Sequence, residues 1–556
     1  MPGGYFAVLA LAASFLFLGE TLVGQAPDGK EPPEKRQDAG KEEPLRSNVD
    51  DRLARLQLLS AELGERISGI AARVAPLMEQ LSSEKRKDSP DEKRLLELKN
   101  ALGRERYKLE KMKTEQKEVL KELHSLLAFT DIAKDAGPGK WIPGGMWKCT
   151  PAVGDINNDG YLDVAGICRY GTGLRVWVYR GKGRWVDVSA GLPSSAFGGG
   201  VRMADVNKDG NLDLVAAFHG GGTRVFLGNG KGGWVESSSG ILKRDPQDVV
   251  VGDFNGDGNL DFADVGYHAS ASVRFHLGDG KGNWKPWETT GLPTCKENEE
   301  VWGMNLAVGD INRDGHLDLI VNHSGKIGMG HALDPVWLGD GAGNFKSASV
   351  GLRHVRNGGT WGVDLGDVNN DGYLDILMGC QDCTKDVPYH VQVYLGNGFG
   401  VWRASCEGLE AVPPTAGVKG AKLVDLDKDG NLDIVAAVKG GIMVWRGDGT
   451  GRWQLQLTSE AEVPALPAFG VAVGDIDGDG YDDIVAAYGT MAQTNITRKM
   501  MGLGPVPYGG YLKVWAVRPA DVALRARIEE MLEQFEKEEI PPVRAGEEEP
   551  SGKGED

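Results

Sequence analysis

No apolar run in this chain is long enough for a membrane span of about 20 residues. The longest, Tyr5 to Leu18, holds 14 residues and is broken by Ser14. With small residues after it and cleavage placed near Gly24 or Ala26, residues 1–24 read as an export signal. No Lys or Arg precedes the apolar stretch, which leaves an uncleaved anchor open as the one route to a membrane. Positive charge is in deficit, with 62 Lys and Arg against 80 Asp and Glu, and the net charge of −18 argues against a nucleic-acid partner. Catalytic signatures are missing: there is no serine elbow, zinc-binding helix motif or phosphate loop. His219, His268 and His323 follow acidic loops by five to seven residues. With His331 they are either an acid–base or transition-metal cluster or separate strand-end residues. No enzyme is expected. Cysteine is scarce, at six, and in an exported chain suggests disulfides. Strand pairing across one acidic loop sets Cys149 opposite Cys168, so a bridge is expected there. Cys380 and Cys383 form a CxxC with no second copy, which favours a disulfide there, or one to Cys406, over zinc. Cys295 is left over.

Aspartate and glycine, by contrast, are organised. The pattern D-x-[ND]-x-D-G-x-x-D occurs seven times. Its polar positions 1, 3, 5 and 9 are Asp155, Asn157, Asp159 and Asp163, then Asp205, Asn207, Asp209 and Asp213, then Asp253, Asn255, Asp257 and Asp261. The fourth copy has Asp310, Asn312, Asp314 and Asp318, and the fifth Asp367, Asn369, Asp371 and Asp375. The last two have Asp425, Asp427, Asp429 and Asp433, and Asp475, Asp477, Asp479 and Asp483. Oxygen-only donors at this spacing suit a hard cation needing six or more ligands, Ca²⁺ before Mg²⁺, and Gly at position 6 permits the turn around it. Up to seven Ca²⁺ are expected, which would bring the net charge to about −4. An EF-hand is excluded, because position 12 is never Glu and each loop leads into a short apolar run such as residues 212–217. The loops therefore join strands.

Motif starts are 50, 48, 57, 57, 58 and 50 residues apart. Each unit has an apolar lead-in, the acidic loop, an apolar run, a third strand, a Gly-rich turn and a fourth strand. That is the pattern of propeller blades. The seventh unit lacks its fourth strand, while residues 129–137 resemble the fourth strand at 185–191, so the N-terminal strand is expected to complete blade seven. The fold class is thus mainly β, a seven-bladed propeller over residues 129–518 with a calcium loop in every blade. Residues 25–46 read as a disordered linker and 541–556 as a disordered acidic tail. Residues 47–128 carry two apolar 3–4 repeats separated by Ser89-Pro90-Asp91-Glu92, read as a capping box with Pro at the first helical position. They form an antiparallel helical hairpin of coiled-coil type, serving either as a spacer or as a homo-oligomerisation module. Residues 519–540 form an amphipathic helix.

The seven loops, set in units of this length, resemble the FG-GAP/VCBS repeats of integrin-α-type propellers over about 70% of the chain, residues 129–517. The resemblance implies a calcium-stabilised, extracellular, mainly binding propeller, placed here as secreted, periplasmic or cell-surface. Its ligand, protein or glycan, is not implied. Propeller topology puts the acidic loops and Gly turns on one face and the irregular insertions, residues 322–335, 379–390 and 489–510, on the other. A non-enzymatic binding or structural module using that insertion face is the first reading. A carbohydrate-active protein, lectin or polysaccharide-enzyme associate, is the alternative, with Trp337, Trp361 and Tyr508 as aromatics able to stack on sugars. Loops six and seven, with Asp427 and Asp477 where the others have Asn, are expected to bind calcium most tightly.

Overall fold

The computed structural model describes residues 127–519, apart from 144–149, 169–172, 196, 268–271, 295–300, 326–334, 353–359, 381–389, 410–416, 439, 461–465 and 491, together with residues within 66–108. The export signal, the linker, residues 520–556, and Cys149, Cys295, Cys383, His268 and His331 lie outside the described residues. The expected Cys149–Cys168 and Cys380–Cys383 bridges therefore fall outside them as well.

Seven antiparallel sheets make a seven-bladed β-propeller. Blade two illustrates the unit, with strands Phe197–Ala204, Asp213–His219, Gly222–Gly228 and Trp234–Glu236 paired in sequence order. The second strands are apolar along their length rather than alternating because neighbouring blades cover both faces. Asp213–His219 is buried at every position but the last, and Asp433–Val438 at every position. Cores lie between blades: Leu377 and Val393 of blade five pack in one cluster with Ile434 and Trp445 of blade six. Inner strands bulge in blades two to seven. Near two of those bulges glycine is required by close approach. A Cβ on Gly420 would lie 2.8 Å from Gly470 Cα, and one on Gly362 2.7 Å from Ala421 N.

Blade seven is built from both ends of the ring. Ala468–Gly474, Asp483–Gly489 and Gly509–Pro519 are completed by Leu127–Asp131, paired with Leu127 opposite Pro519 and Asp131 opposite Trp515. The closing strand thus begins at Leu127, two residues before the boundary read from sequence, and residues 137–139 form a 3-10 turn instead of strand. Tryptophans latch the blades. The Trp185 indole N–H donates to Ile132 O, the residue after the closing strand (3.1 Å), Trp234 to Val188 O (2.8 Å), Trp284 to Ser237 O (2.9 Å), Trp402 to Ala348 O (2.7 Å) and Trp453 to Ser405 O (3.2 Å). Blade four has Phe345 in that place and is joined by backbone bonds alone, Phe345 N donating to Thr290 O (2.9 Å) and Thr290 N to Gly343 O (2.9 Å). Blade five makes such a pair in addition to its indole bond, through Trp402 N to Val350 O (2.8 Å) and Val350 N to Gly400 O (3.2 Å).

Among the described N-terminal residues, two helical stretches pack antiparallel. Arg73 pairs with Glu105 (3.0 Å), Arg94 donates to Gln80 (3.1 Å), and Ile70, Leu81, Leu98 and Leu102 are buried. The second helix is capped by Asp91, not Ser89. Asp91 Oδ1 accepts the N–H groups of Lys93 (3.0 Å) and Arg94 (3.1 Å), which a shorter hydroxyl two residues back does not reach. No described helix is long and apolar enough to cross a membrane.

A chain shortened to begin at Pro138 loses the partner of Gly509–Pro519 and exposes a blade edge, whereas one beginning at Leu127 keeps it. The first is expected to aggregate and the second to run as a folded monomer in size-exclusion chromatography; equal behaviour would refute the closing role of Leu127–Asp131. Trp185→Phe should cost about 1 kcal/mol of stability in denaturant titration, the worth of one ordinary hydrogen bond.

Candidate metal centres

Each acidic loop turns through two left-handed residues. Position 6 is Gly throughout, with φ of 84–93°, and position 4 is also left-handed, including the non-glycines Asn158, Lys208, Arg313, Asn370 and Lys428 at φ 56–61°. Aspartate bonds to the loop's own backbone hold this shape. The position-1 carboxylate accepts from the N–H groups of positions 5 and 6, as Asp205 does from Asp209 (3.1 Å) and Gly210 (2.8 Å). The position-5 carboxylate accepts from position 7, as Asp209 does from Asn211 (2.8 Å).

Position 9 plays a different part. All seven of these aspartates are fully buried. In each, Oδ2 accepts from the N–H of position 2 and Oδ1 from the third strand of the same blade. For Asp163 the donors are Ile156 (2.9 Å) and Tyr179 (2.9 Å), and for Asp483 they are Ile476 (2.9 Å) and Val517 (3.0 Å). The carboxylate staples loop to strand while facing the loop interior. Burial pushes its pKa up, against the pull of the two N–H donors. It rises from an ordinary 3.8 to about 6 in Asp213, Asp261 and Asp318, about 7 in Asp163, Asp375 and Asp483, and about 8 in Asp433.

Position 3 divides the loops. In loops two to five the Asn amide donates to the position-5 carboxylate, at 3.1, 3.0, 2.9 and 2.9 Å. In loop one Arg180 donates to Asp159 instead (2.8 Å), and both polar side-chain atoms of Asn157 are buried without a hydrogen-bond partner. In loops six and seven position 3 is the extra aspartate. Carboxylate oxygens of Asp425, Asp427 and Asp433 lie within 4.8 Å of one another, as do those of Asp475, Asp477 and Asp483. Asp477 Oδ1 is buried without a hydrogen-bond partner. Convergent oxygen donors with orphaned buried atoms fit a hard divalent cation. Loops six and seven also hold a guanidinium that the motif did not announce. Arg446 lies 2.6 Å from Asp427 Oδ2 and 2.5 Å from Asp429 Oδ2. Arg518 pairs with Asp477 (2.8 Å) and with Asp479. The extra negative charge on which the sequence ranking rested is thereby matched by a positive one.

Most of the other described candidates resolve into packing. His219 lies 3.2 Å from Asp245 and stacks on Tyr267, with centroids 4.8 Å apart. His323 stands in blade four, opposite Gly303. Trp337 is not a stacking platform, since it is buried in the core between blades three and four. Trp361 lies under Lys419, whose ammonium is 4.9 Å from the ring, and Tyr508 is exposed. Cys380 Sγ accepts from Gln392 (2.9 Å), and Cys406 Sγ donates to Val393 O (3.7 Å).

The family model for the FG-GAP-like repeat matches residues 155–216, 205–263, 262–321, 330–378 and 425–486, about half of the chain. The chain belongs to the FG-GAP-like repeat family. Curated relatives of this FG-GAP propeller include integrin alpha-V of Gallus gallus, 27% identical over 207 residues, which are 34% of this chain and 20% of that protein. Integrin alpha-8 of Mus musculus is 26% identical over 171 residues, 28% and 16% of the two chains. The chain thus spans about a fifth or less of the length of these relatives. Among solved structures, an Agrocybe aegerita lectin studied for recognition of non-reducing terminal N-acetylglucosamine aligns over 58% of this chain and 81% of its own, at 19% identity and TM-score 0.40.

A buried acid with a raised folded-state pKa favours its protonated form, so its contribution is fully present below about pH 3.8 and is lost as pH rises through the folded value. In chelator, therefore, the melting temperature should fall as pH rises from about 4 to 8. Saturating Ca²⁺ should flatten that fall, because a bound cation favours the charged carboxylate. Parallel pH profiles with and without calcium would contradict a cation beside the position-9 carboxylates.

Proposed function

We infer that this chain is an exported, calcium-binding propeller that works as a non-enzymatic binding module through the face opposite its acidic loops. Positions 1, 3, 5 and 9 of the seven loops would hold the cations. What they would supply is structural: a charge that offsets three or four crowded carboxylates per loop.

The observation that carries the reading is the difference between the two faces. Leu127 and Pro519, where the chain enters and leaves the ring, are paired on the acidic-loop side, beside Val517 and its bond to Asp483. The opposite side holds the described insertion of blade seven, built around the helix Ala492–Met500. This insertion is shaped from within. The Asn495 amide both donates to Val506 O (3.0 Å) and accepts from Val506 N (2.8 Å), and Arg498 donates to Gly504 O (2.8 Å). Yet it leaves Ile496 61%, Met500 83% and Tyr508 51% exposed, with Met501 and Leu503 beside them. Residues 491–510 contain no Asp or Glu, while Arg498 and Lys499 are positive, in a chain of net charge −18. An apolar patch edged with cations suits a partner that offers apolar and acidic groups together.

Two measurements test the two halves. Millimolar Ca²⁺ should raise the thermal midpoint over EDTA, by mass action about 2.7 kcal/mol per site at a hundredfold excess over Kd; coincident melts would sink the calcium half. Immobilised protein carrying Ile496→Glu and Met500→Glu should lose the ligands that the unaltered protein retains from an exported fraction or a glycan array. Retention of the same ligands by both would move the binding face elsewhere.

A further inference from the structure

The seven loops are internal controls for one another, and position 5 follows a common rule in six of them. Its Oδ2 receives a side-chain N–H, from the position-3 Asn in loops two to five and from an arginine in loops one and six. In loop seven Arg518 pairs with the same atom of Asp479. Loops six and seven are the two in which position 3 is a carboxylate, and in both of them one guanidinium spans positions 3 and 5. The two arginines come from different places. Arg446 precedes Gly447, the third-strand residue bonded to Asp433, and stands where blades two to five have Leu227, Leu277, Leu338 and Leu395. Arg518 follows Val517, bonded to Asp483, where those blades have Asn229, Asp279, Asp340 and Asn397. Two distinct replacements therefore deliver the same group to the same pair of acids.

We propose that Arg446 and Arg518 are built-in counter-ions that hold loops six and seven in shape without calcium and compete with it there, so that these are the weaker cation sites, and the ring's closing blade and its neighbour depend least on calcium. The inference rests on the calcium reading for its competition half only. With the arginine counted, each of these loops carries the same net charge as loops two to five, so the fourth carboxylate gives no surplus attraction over them. Asp427 is buried, with Arg446 Nε against its Oδ2 at 2.6 Å, so an incoming cation meets an oxygen already faced by a positive group. The same pairing relieves the repulsion that an empty four-carboxylate loop would suffer. Blade seven is also the seam between chain ends, where loss of loop shape would release Leu127–Asp131 as well. A seam held by its own arginine stays shut when external calcium falls, while loops two to five, with no such guanidinium described, respond to it.

The test uses the full chain and the substitutions that the other blades already contain. Arg446→Leu should lower the melting temperature in EDTA by several degrees, and excess Ca²⁺ should restore it. Arg446→Lys, which keeps the charge, should lie near the unaltered protein. Arg446→Leu with Asp427→Asn rebuilds the composition of loops two to five and should recover stability in EDTA. In calcium or terbium titrations Arg446→Leu, and likewise Arg518→Asn, should strengthen one class of sites about tenfold. If Asp427→Asn fails to rescue Arg446→Leu in EDTA, the counter-ion role is overturned; if the unaltered protein binds calcium yet Arg446→Leu is destabilised equally with and without it, the competition is overturned. Rescue in EDTA by a protein that binds no calcium in any variant would keep the counter-ion and overturn the competition along with the calcium reading.

Discussion

The structure depends on a buried carboxylate that must be matched at both oxygens. A fully buried aspartate at position 9 would be costly if its oxygens were left bare. The backbone supplies two N–H groups, one from the start of its own loop and one from the third strand, fifteen residues away in Asp213 and thirty-four away in Asp483. That pair of bonds fixes the loop's closure, the register of the second and third strands, and the position of the Gly-rich turn at once. The same nine-residue spacing can therefore recur in blades whose total lengths differ, because the staple spans whatever is inserted between its ends.

Much of this was legible in the sequence because the loop states its own geometry. D-x-[ND]-x-D-G-x-x-D names the turn glycine, the capping acids and the buried staple, and apolar runs bounded by glycine give the second strands. Ring closure was legible too, from the likeness of residues 129–137 to a fourth strand, though its start was not, since Leu127 reads equally as the end of a helical repeat. The arginines were invisible for a physical reason. Arg446 and Arg518 lie 19 and 41 residues from their partners Asp427 and Asp477 and at different offsets in their blades, so no local spacing joins them. The tryptophan latches were half visible. A Trp after the Gly turn in five blades marks the strand, but its indole bond goes to the neighbouring blade, 46 residues back for Trp234 and 54 for Trp402. The repeat period itself carried that signal, because a residue at a fixed place in each unit meets the same place in the unit before.

Neighbouring acidic loops are also bridged along the rim at four of its seven junctions. The left-handed fourth residue of one loop reaches the next: Asn158 donates to Asn211 (3.5 Å), Asn370 to Asn431 (3.0 Å), Lys428 to Asp482 (2.5 Å), and the Arg313 guanidinium lies 5.2 Å from the Tyr373 ring. A non-glycine held at positive φ carries a conformational cost. Here the strained corner aims a long polar side chain along the rim, which a glycine there, as at Gly256 and Gly478, cannot do.

These constraints together account for where the chain varies. On the loop face, nine-residue turns and Gly-rich turns are fixed in length by staples, aspartate bonds and loop-to-loop bridges, so an inserted residue would break several contacts at once. The Gly-rich turns span the same length in blades one to six, so the turns of the opposite face absorb the difference between units of 48 and 58 residues. In blade seven the extra length has become a helix closed off from the strands by Thr490, whose N–H donates to Gly509 O (2.9 Å) and whose hydroxyl accepts from Gly509 N (2.9 Å). The clamp lets the insertion change its sequence and surface without disturbing strand pairing below it. Rigidity on one side of the ring is thus what frees the other side to specialise.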